Sequence, residues 1–191
     1  LRHTGNRADF GLPRDYFLFV GRLSPEKNVA GLIDAFSVYR TAGGTASLVL
    51  CGDGPSRVDL MAQAETAGVR EHVIFAGLKT TPELLPYYAF ARVLVLPSKR
   101  EPWGLVVNEA MASGLPVLVS NRCGCAEDLV RDNGLVFDPD APDALPRGLS
   151  ILGATPPCEL EALGRRSREI IAQYSPGVWA SEVAEFAGDC C

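Results

Sequence analysis

Two stretches of this chain place charged and flexible residues where a polyhydroxylated, phosphorylated ligand could be held. The first is Gly21-Arg22-Leu23-Ser24-Pro25-Glu26-Lys27, between an apolar run and a helical pattern. Gly21 permits close backbone approach. Ser24 is suited to cap a helix that has Pro25 at its first position. Arg22 and Lys27 set a planar fork and a point charge at one strand-to-helix corner. A diphosphate there would meet both cations and a helix N-terminus. A solvated surface turn is the plainer alternative.

The second stretch is Glu101-Pro102-Trp103-Gly104-Leu105-Val106-Val107-Asn108-Glu109-Ala110. Glu101 falls in a loop, and Glu109 about one and a half turns into the next helix. Pro102 and Gly104 shape the loop so that amides of the first helical turn stay free, which makes an anion site. The flanking carboxylates can accept hydrogen bonds from sugar hydroxyls. Otherwise Glu101 is simply exposed and Glu109 pairs with a nearby cation. Trp103 is either a stacking platform or an anchor for the loop. Gly52-Asp53-Gly54-Pro55-Ser56-Arg57 begins like a dinucleotide fingerprint, but Arg57 replaces its third glycine. A tight turn beside a ligand suits it better.

These loops need elements to hold them. Short apolar runs predict strands at Tyr16–Val20, Leu48–Cys51, Val73–Phe75, Val93–Leu96, Val117–Val119 and Leu135–Phe137. Helical spacing predicts helices over 28–42, 57–67, 82–90 (with Pro86 inside), 104–113 and 127–130. A helical stretch over 159–186, broken near Pro176-Gly177, ends the chain, and Trp179 there is read as packing. Strands apolar on both faces, separated by helices, imply a parallel sheet covered on both sides. The expected fold is therefore α/β, a doubly wound Rossmann-like sheet. In such sheets ligands bind at the carboxyl ends of the strands, where the stretches above lie. Residues 1–14, polar with Gly and Pro, read as a linker, and residues 15–191 as one domain.

Composition narrows the chemistry. The 191 residues carry 18 basic and 23 acidic side chains, a formal charge of −5, which argues against a general nucleic-acid partner. No apolar run reaches the ~18 residues a spanning helix needs. The six cysteines lack zinc spacing and the histidines are only His3 and His72, so no metal site is expected. Cys51, closing an apolar run, reads as a buried thiol. No Gly-x-Ser-x-Gly elbow and no phosphate loop of the Gly-x4-Gly-Lys-Ser/Thr type is present.

Taken together, these motifs resemble the C-terminal, donor-binding domain of retaining glycosyltransferases of family 4, which have the GT-B fold. Residues 21–28 resemble that family's diphosphate motif, and residues 101–110 its Glu-x7-Glu signature. Gly-Asp-Gly-Pro at 52–55, Val-Ile-Phe-Ala-Gly at 73–77, Leu-Pro-Ser at 96–98 and Ala-Ser-Gly-Leu-Pro-Val at 112–117 follow in the family's order. The resemblance covers roughly residues 10–187. One departure is Asn108, where an apolar residue is common; a packing role is expected for it.

The resemblance implies a nucleoside-diphosphate sugar as donor substrate. Arg22 and Lys27, beside Gly21 and Gly52, would hold its diphosphate, and Glu109 its ribose. Glu101 would contact the transferred sugar as the catalytic carboxylate. Trp103 and the amides of Gly104, Leu105 and Val106 would border sugar and phosphate, and Leu78 and Lys79 the base. It implies no cofactor and no metal, because cations and a helix N-terminus stabilise the departing diphosphate. The acceptor would be held by the protein's own N-terminal domain. Cytoplasmic location is expected, with any peripheral membrane contact made through that other half. Two other classes are a non-catalytic nucleotide-sugar-binding module and a dinucleotide-dependent oxidoreductase domain. The latter would want a complete Gly-x-Gly-x-x-Gly after the first strand, which instead runs into Gly-Arg-Leu.

Overall fold

The computed structural model describes residues 7–175 and 177. Among the described residues six strands alternate with seven helices: β1 Tyr16–Val20, α1 Val29–Thr41, β2 Ser47–Cys51, α2 Arg57–Thr66, β3 Val73–Gly77, α3 Thr81–Phe90, β4 Val93–Leu96, α4 Leu105–Ala112, β5 Val117–Ser120, α5 Ala126–Leu129, β6 Gly134–Phe137, α6 Ala144–Ala154 and α7 Pro157–Ala172. All pairings are parallel, in the order β3-β2-β1-β4-β5-β6. The doubly wound Rossmann-like sheet expected from the sequence is the fold observed.

Every residue of β1, β4 and β5 is buried, which is why these strands read as unbroken apolar runs rather than alternating ones. The edge strands are less covered: Ile74 of β3 and Val136 of β6 are exposed. The helices insulate the two sheet faces. Phe17 meets Tyr39 of α1 edge-on, with ring centroids 5.3 Å apart.

Strand order fixes where a ligand fits. The chain winds outward from β1 through β2 to β3, then returns to β4 on the other side of β1 and winds the opposite way. The loops after β1 and β4 therefore diverge, and the crevice between them is the binding position of an open α/β sheet.

Several local expectations need correction. Ser24 does not cap a helix. Its hydroxyl donates to Glu26 Oε1 at 2.6 Å, and Pro25–Lys27 form a single 3-10 turn. Asn28 then turns left-handed (φ 54°) before α1 starts at Val29. A helix not expected from the sequence, α6, occupies Ala144–Ala154. Its Pro146 lies in the first turn, where an amide has no intrahelical acceptor. Its glycines serve close approach: a Cβ at Gly148 would lie 2.7 Å from Leu118 Cδ1, and one at Gly153 2.6 Å from Tyr39 Cε2.

Pro86 does not break α3. Tertiary burial of Pro86 and Tyr88 and a capping box between Thr80 and Glu83 sustain it. Residues Arg7–Phe10 form a 3-10 turn against α3, with the Arg7 guanidinium 5.7 Å from the Phe90 ring centre. The expected helical stretch over 159–186 is observed as α7 from Pro157 to Ala172. Its continuation from 178 onward, with Trp179, lies outside the described residues, as do residues 1–6 of the expected linker.

Candidate functional site

The loops singled out by the sequence meet at the carboxyl ends of the strands and are stitched to one another by backbone hydrogen bonds. Gly21 N donates to Cys51 O (3.0 Å), Leu23 N to Asp53 O (2.9 Å), Ser56 N to Leu23 O (3.0 Å) and Gly52 N to Gly77 O (2.8 Å). The approach is close enough to demand glycine. At Gly52 (φ 143°) a Cβ would lie 1.8 Å from the carbonyl oxygen of Gly21. Any side chain there would push the β1 and β2 loops apart.

Across the crevice, the β1 loop is tied to the β4 loop. Lys99 N donates to Glu26 O (2.9 Å), and Asn28 Nδ2 donates to Pro97 O (3.1 Å). The side chains of Lys27 and Glu101 form an ion pair over the same gap and retain only 21% and 12% of their exposure. Lys27 and Glu101, 74 residues apart, thus face each other at the switch point. Arg22, in the same loop as Lys27, is exposed. The Ser24 hydroxyl, with lesser help from the charges of Arg22 and Lys27, holds the Glu26 carboxyl below the usual carboxylate range.

The Glu101 loop rests on the β5–α5 loop. Glu101 N donates to Arg122 O (3.2 Å), Gly124 N to Glu101 O (3.0 Å) and Cys125 N to Trp103 O (3.2 Å). The loop Ser120–Gly124, which follows β5 and so falls at the strand ends where the sequence places a ligand, closes on Gly124, where a Cβ would lie 2.1 Å from Pro102 O. Trp103 acts as an anchor: its indole Nε1 donates to Asn108 Oδ1 at 3.0 Å. The expected packing role of Asn108 is therefore a polar one. Gly104 (φ 103°) turns the chain into α4. The amides of Leu105 and Val106 donate to no backbone carbonyl among the described residues, so the first turn presents two free donors.

Glu109, the fifth residue of α4, is exposed and has no cation within ion-pairing distance among the described residues. It instead accepts a hydrogen bond from the Tyr88 hydroxyl, O to Oε2 2.7 Å. Tyr88 was not identified from the sequence, because a tyrosine in an apolar helix gives no sign of a partner 21 residues away. Burial, and after it the bond to Glu109, pushes its hydroxyl pKa up. Leu78 and Leu105 project into solvent at 78% and 69% exposure, on either side of the crevice. Lys79 lies half-buried over the Tyr87 ring, 5.9 Å from its centre. Cys123 and Cys125 lie beneath the Glu101 loop; burial pushes their thiols up to about 12 and about 11.

A cavity of about 940 Å³ lies at the opposite, amino ends of the strands. Its central cation, Arg92, is engaged by Asp15 Oδ2 at 2.8 Å and by the carbonyls of Leu152 and Thr155. Among the described residues no cluster of His, Cys, Asp or Glu could hold a metal ion.

Residues 6–170 match the family Glycosyl transferases group 1. The chain belongs to this family. An uncharacterised glycosyltransferase of Methanocaldococcus jannaschii is 38% identical over 146 residues, 75% of this chain and 37% of that protein. A GDP-mannose-dependent alpha-(1-6)-phosphatidylinositol monomannoside mannosyltransferase of Mycobacterium tuberculosis is 31% identical over 176 residues, 87% of this chain and 46% of that protein. Among solved structures, sucrose-phosphate synthase of Thermosynechococcus elongatus superposes with a TM-score of 0.80 at 25% identity, over 97% of this chain and 49% of that one. The chain thus spans less than half the length of each of these three proteins, and its sheet corresponds to a Rossmann-like unit of GT-B glycosyltransferases. No described helix of this group 1 domain is long and apolar enough to cross a membrane.

Proposed function

We propose that this chain is the donor-binding domain of a retaining, family 4 glycosyltransferase and holds a nucleoside-diphosphate sugar at the β1/β4 crevice. The observation that carries the proposal is the meeting there of Lys27, Glu101 and the free amides at the head of α4. A cation beside unsatisfied amides suits a diphosphate, and a carboxylate beside them suits sugar hydroxyls.

In this reading Arg22 and Lys27 grip the diphosphate and stabilise the charge it gains as the sugar departs. The amides of Gly104, Leu105 and Val106 contact phosphate and sugar. Glu101 orients the transferred sugar, and Glu109 accepts from the ribose. The base lies over Leu78 and Lys79. Gly21 and Gly52 keep the backbone low enough for the diphosphate to approach. No metal is required, since side-chain cations and the α4 terminus supply the positive charge. The remainder of the full-length protein supplies the acceptor site and faces the crevice. The expected setting remains the cytoplasm, with any membrane contact made by the other half. The group 1 family and the GDP-mannose dependence of one relative support sugar transfer in general; they leave the base and sugar to experiment.

Calorimetric titration with UDP, GDP, ADP and NAD tests the assignment. At least one nucleoside diphosphate should bind and NAD should not. Each charge-assisted hydrogen bond contributes about 1.5–3 kcal/mol, so Arg22→Ala or Lys27→Ala should weaken binding about tenfold or more. Unchanged affinity in both variants would sink the diphosphate assignment.

A further inference from the structure

Tyr88 has no part in the roles just given, yet it is the one described side chain that hydrogen-bonds the Glu109 carboxylate. Its side chain is 3% exposed, whereas Glu109 is exposed. The geometry therefore joins a buried donor to an exposed acceptor. Tyr88 is fixed because α3 is pinned along its length. The Tyr16 hydroxyl donates to Tyr87 O at 2.8 Å, and Arg92 N, just past the helix, donates to Tyr16 O at 2.9 Å. At the other end the Thr80 backbone amide donates to Glu83 Oε2 at 2.7 Å. A buried hydroxyl needs an acceptor, and the acceptor it has is Glu109 Oε2.

Free on a helix surface, a glutamate samples several rotamers, and a ligand must order it on binding. Held at one oxygen by Tyr88, Glu109 is ordered in advance. Its other oxygen has no hydrogen-bond partner among the described residues, and the residue is exposed. We propose that Tyr88 is a positioning residue for ribose recognition: its buried hydroxyl holds one Glu109 oxygen so that the other receives the vicinal hydroxyls of a bound nucleoside diphosphate. The inference rests on the assignment of Glu109 to ribose made above. It extends the recognition machinery into α3, an element that no motif in the sequence connects to the ligand.

Tyr88→Phe keeps the ring and removes only the hydroxyl, so packing of α3 is retained, which a thermal melt verifies. The probes are UDP or GDP, whichever binds tighter, and its 2′-deoxy analogue. Wild-type protein should prefer the ribonucleotide. Tyr88→Phe should weaken ribonucleotide binding about three- to tenfold and leave the deoxynucleotide nearly unchanged, so the preference shrinks. Glu109→Gln should weaken the preference as well, and adding Tyr88→Phe to it should change little. A purely structural tyrosine would weaken both nucleotides alike. If Tyr88→Phe affects both equally or neither, while Glu109→Gln still reduces the preference, the positioning role is overturned and the ribose assignment stands. If neither wild type nor Glu109→Gln distinguishes the two nucleotides, the ribose assignment fails and the positioning role fails with it.

Discussion

Replacing Lys27 by Met and Glu101 by Gln, singly and together, should expose the ion pair that spans the β1/β4 crevice. A fully exposed pair is worth ~0–1 kcal/mol. Breaking a fully buried one by removing a single partner costs ~3–5 kcal/mol, because the other charge is stranded. With 21% and 12% of their exposure left, Lys27 and Glu101 lie between these limits but nearer the buried one. After allowance for solvent screening, each single change should cost about 1–3 kcal/mol. A domain of this size loses roughly 2–4 °C in Tm per kcal/mol, so a 2 kcal/mol loss would read as a fall of about 4–8 °C. The double variant should be less destabilised than the sum, since it strands no charge. Urea unfolding of the four proteins gives the coupling. Additivity within ~0.3–0.5 kcal/mol is the signature of sites that do not interact, and finding it would refute the pairing. The same variants should part company in ligand binding: Lys27→Met should weaken a free nucleoside diphosphate, whereas Glu101→Gln should spare it.

Three further outcomes follow from the same geometry. Glu109→Ala should weaken both the free nucleoside diphosphate and the sugar nucleotide in calorimetry, while Glu101→Ala should spare the first and impair the second; the opposite pattern would reverse the two roles. The isolated chain should bind donor weakly and transfer sugar far more slowly than the full-length protein, because holding the acceptor near the reacting carbon supplies much of the rate; equal turnover in a direct comparison would contradict the two-domain reading. The buried thiols make the fold sensitive to alkali. Cys51, Cys123 and Cys125 are raised from 9.0 to about 12, about 12 and about 11 by burial. Below pH 9 both folded and unfolded chains keep these protons, so the contribution is intact. Above it the unfolded chain releases them first, and stability falls as pH rises towards 11–12 by up to about 1.4 kcal/mol per pH unit per thiol. Urea midpoints measured from pH 7 to 10 should decline above 9, and less steeply after Cys→Ala at the three positions.

The parallel sheet was readable from the sequence because β1, β4 and β5 are buried on both faces and carry no polar residue before the final Ser120 of β5. The loops that converge were readable too, since each combines glycine with charge directly after an apolar run. What was hidden depends on distance in the chain. The Lys27–Glu101 pair and the Tyr88–Glu109 bond join residues far apart in sequence, and only the strand order brings them together. Local misreadings had local causes. Ser24 has the right type for a cap, but Glu26 two residues later takes its hydroxyl. Pro146, Gly148 and Gly153 look like helix breakers in α6. There the proline sits in the first turn and the glycines let the helix lie close to Leu118 and Tyr39. The distinction between Trp103 as platform and as anchor needed the position of Asn108, which spacing alone does not supply.

The location of the donor site can be tested residue by residue by following backbone amide chemical shifts of isotope-labelled protein during titration with UDP and GDP. Saturable shifts should gather at Gly21–Lys27, Gly77–Lys79, Glu101–Val106 and Glu109, on the carboxyl ends of the strands. Shifts gathering instead around Arg92, Gly114 and Arg168, at the amino-end cavity, or no saturable shift with either nucleotide, would contradict the account.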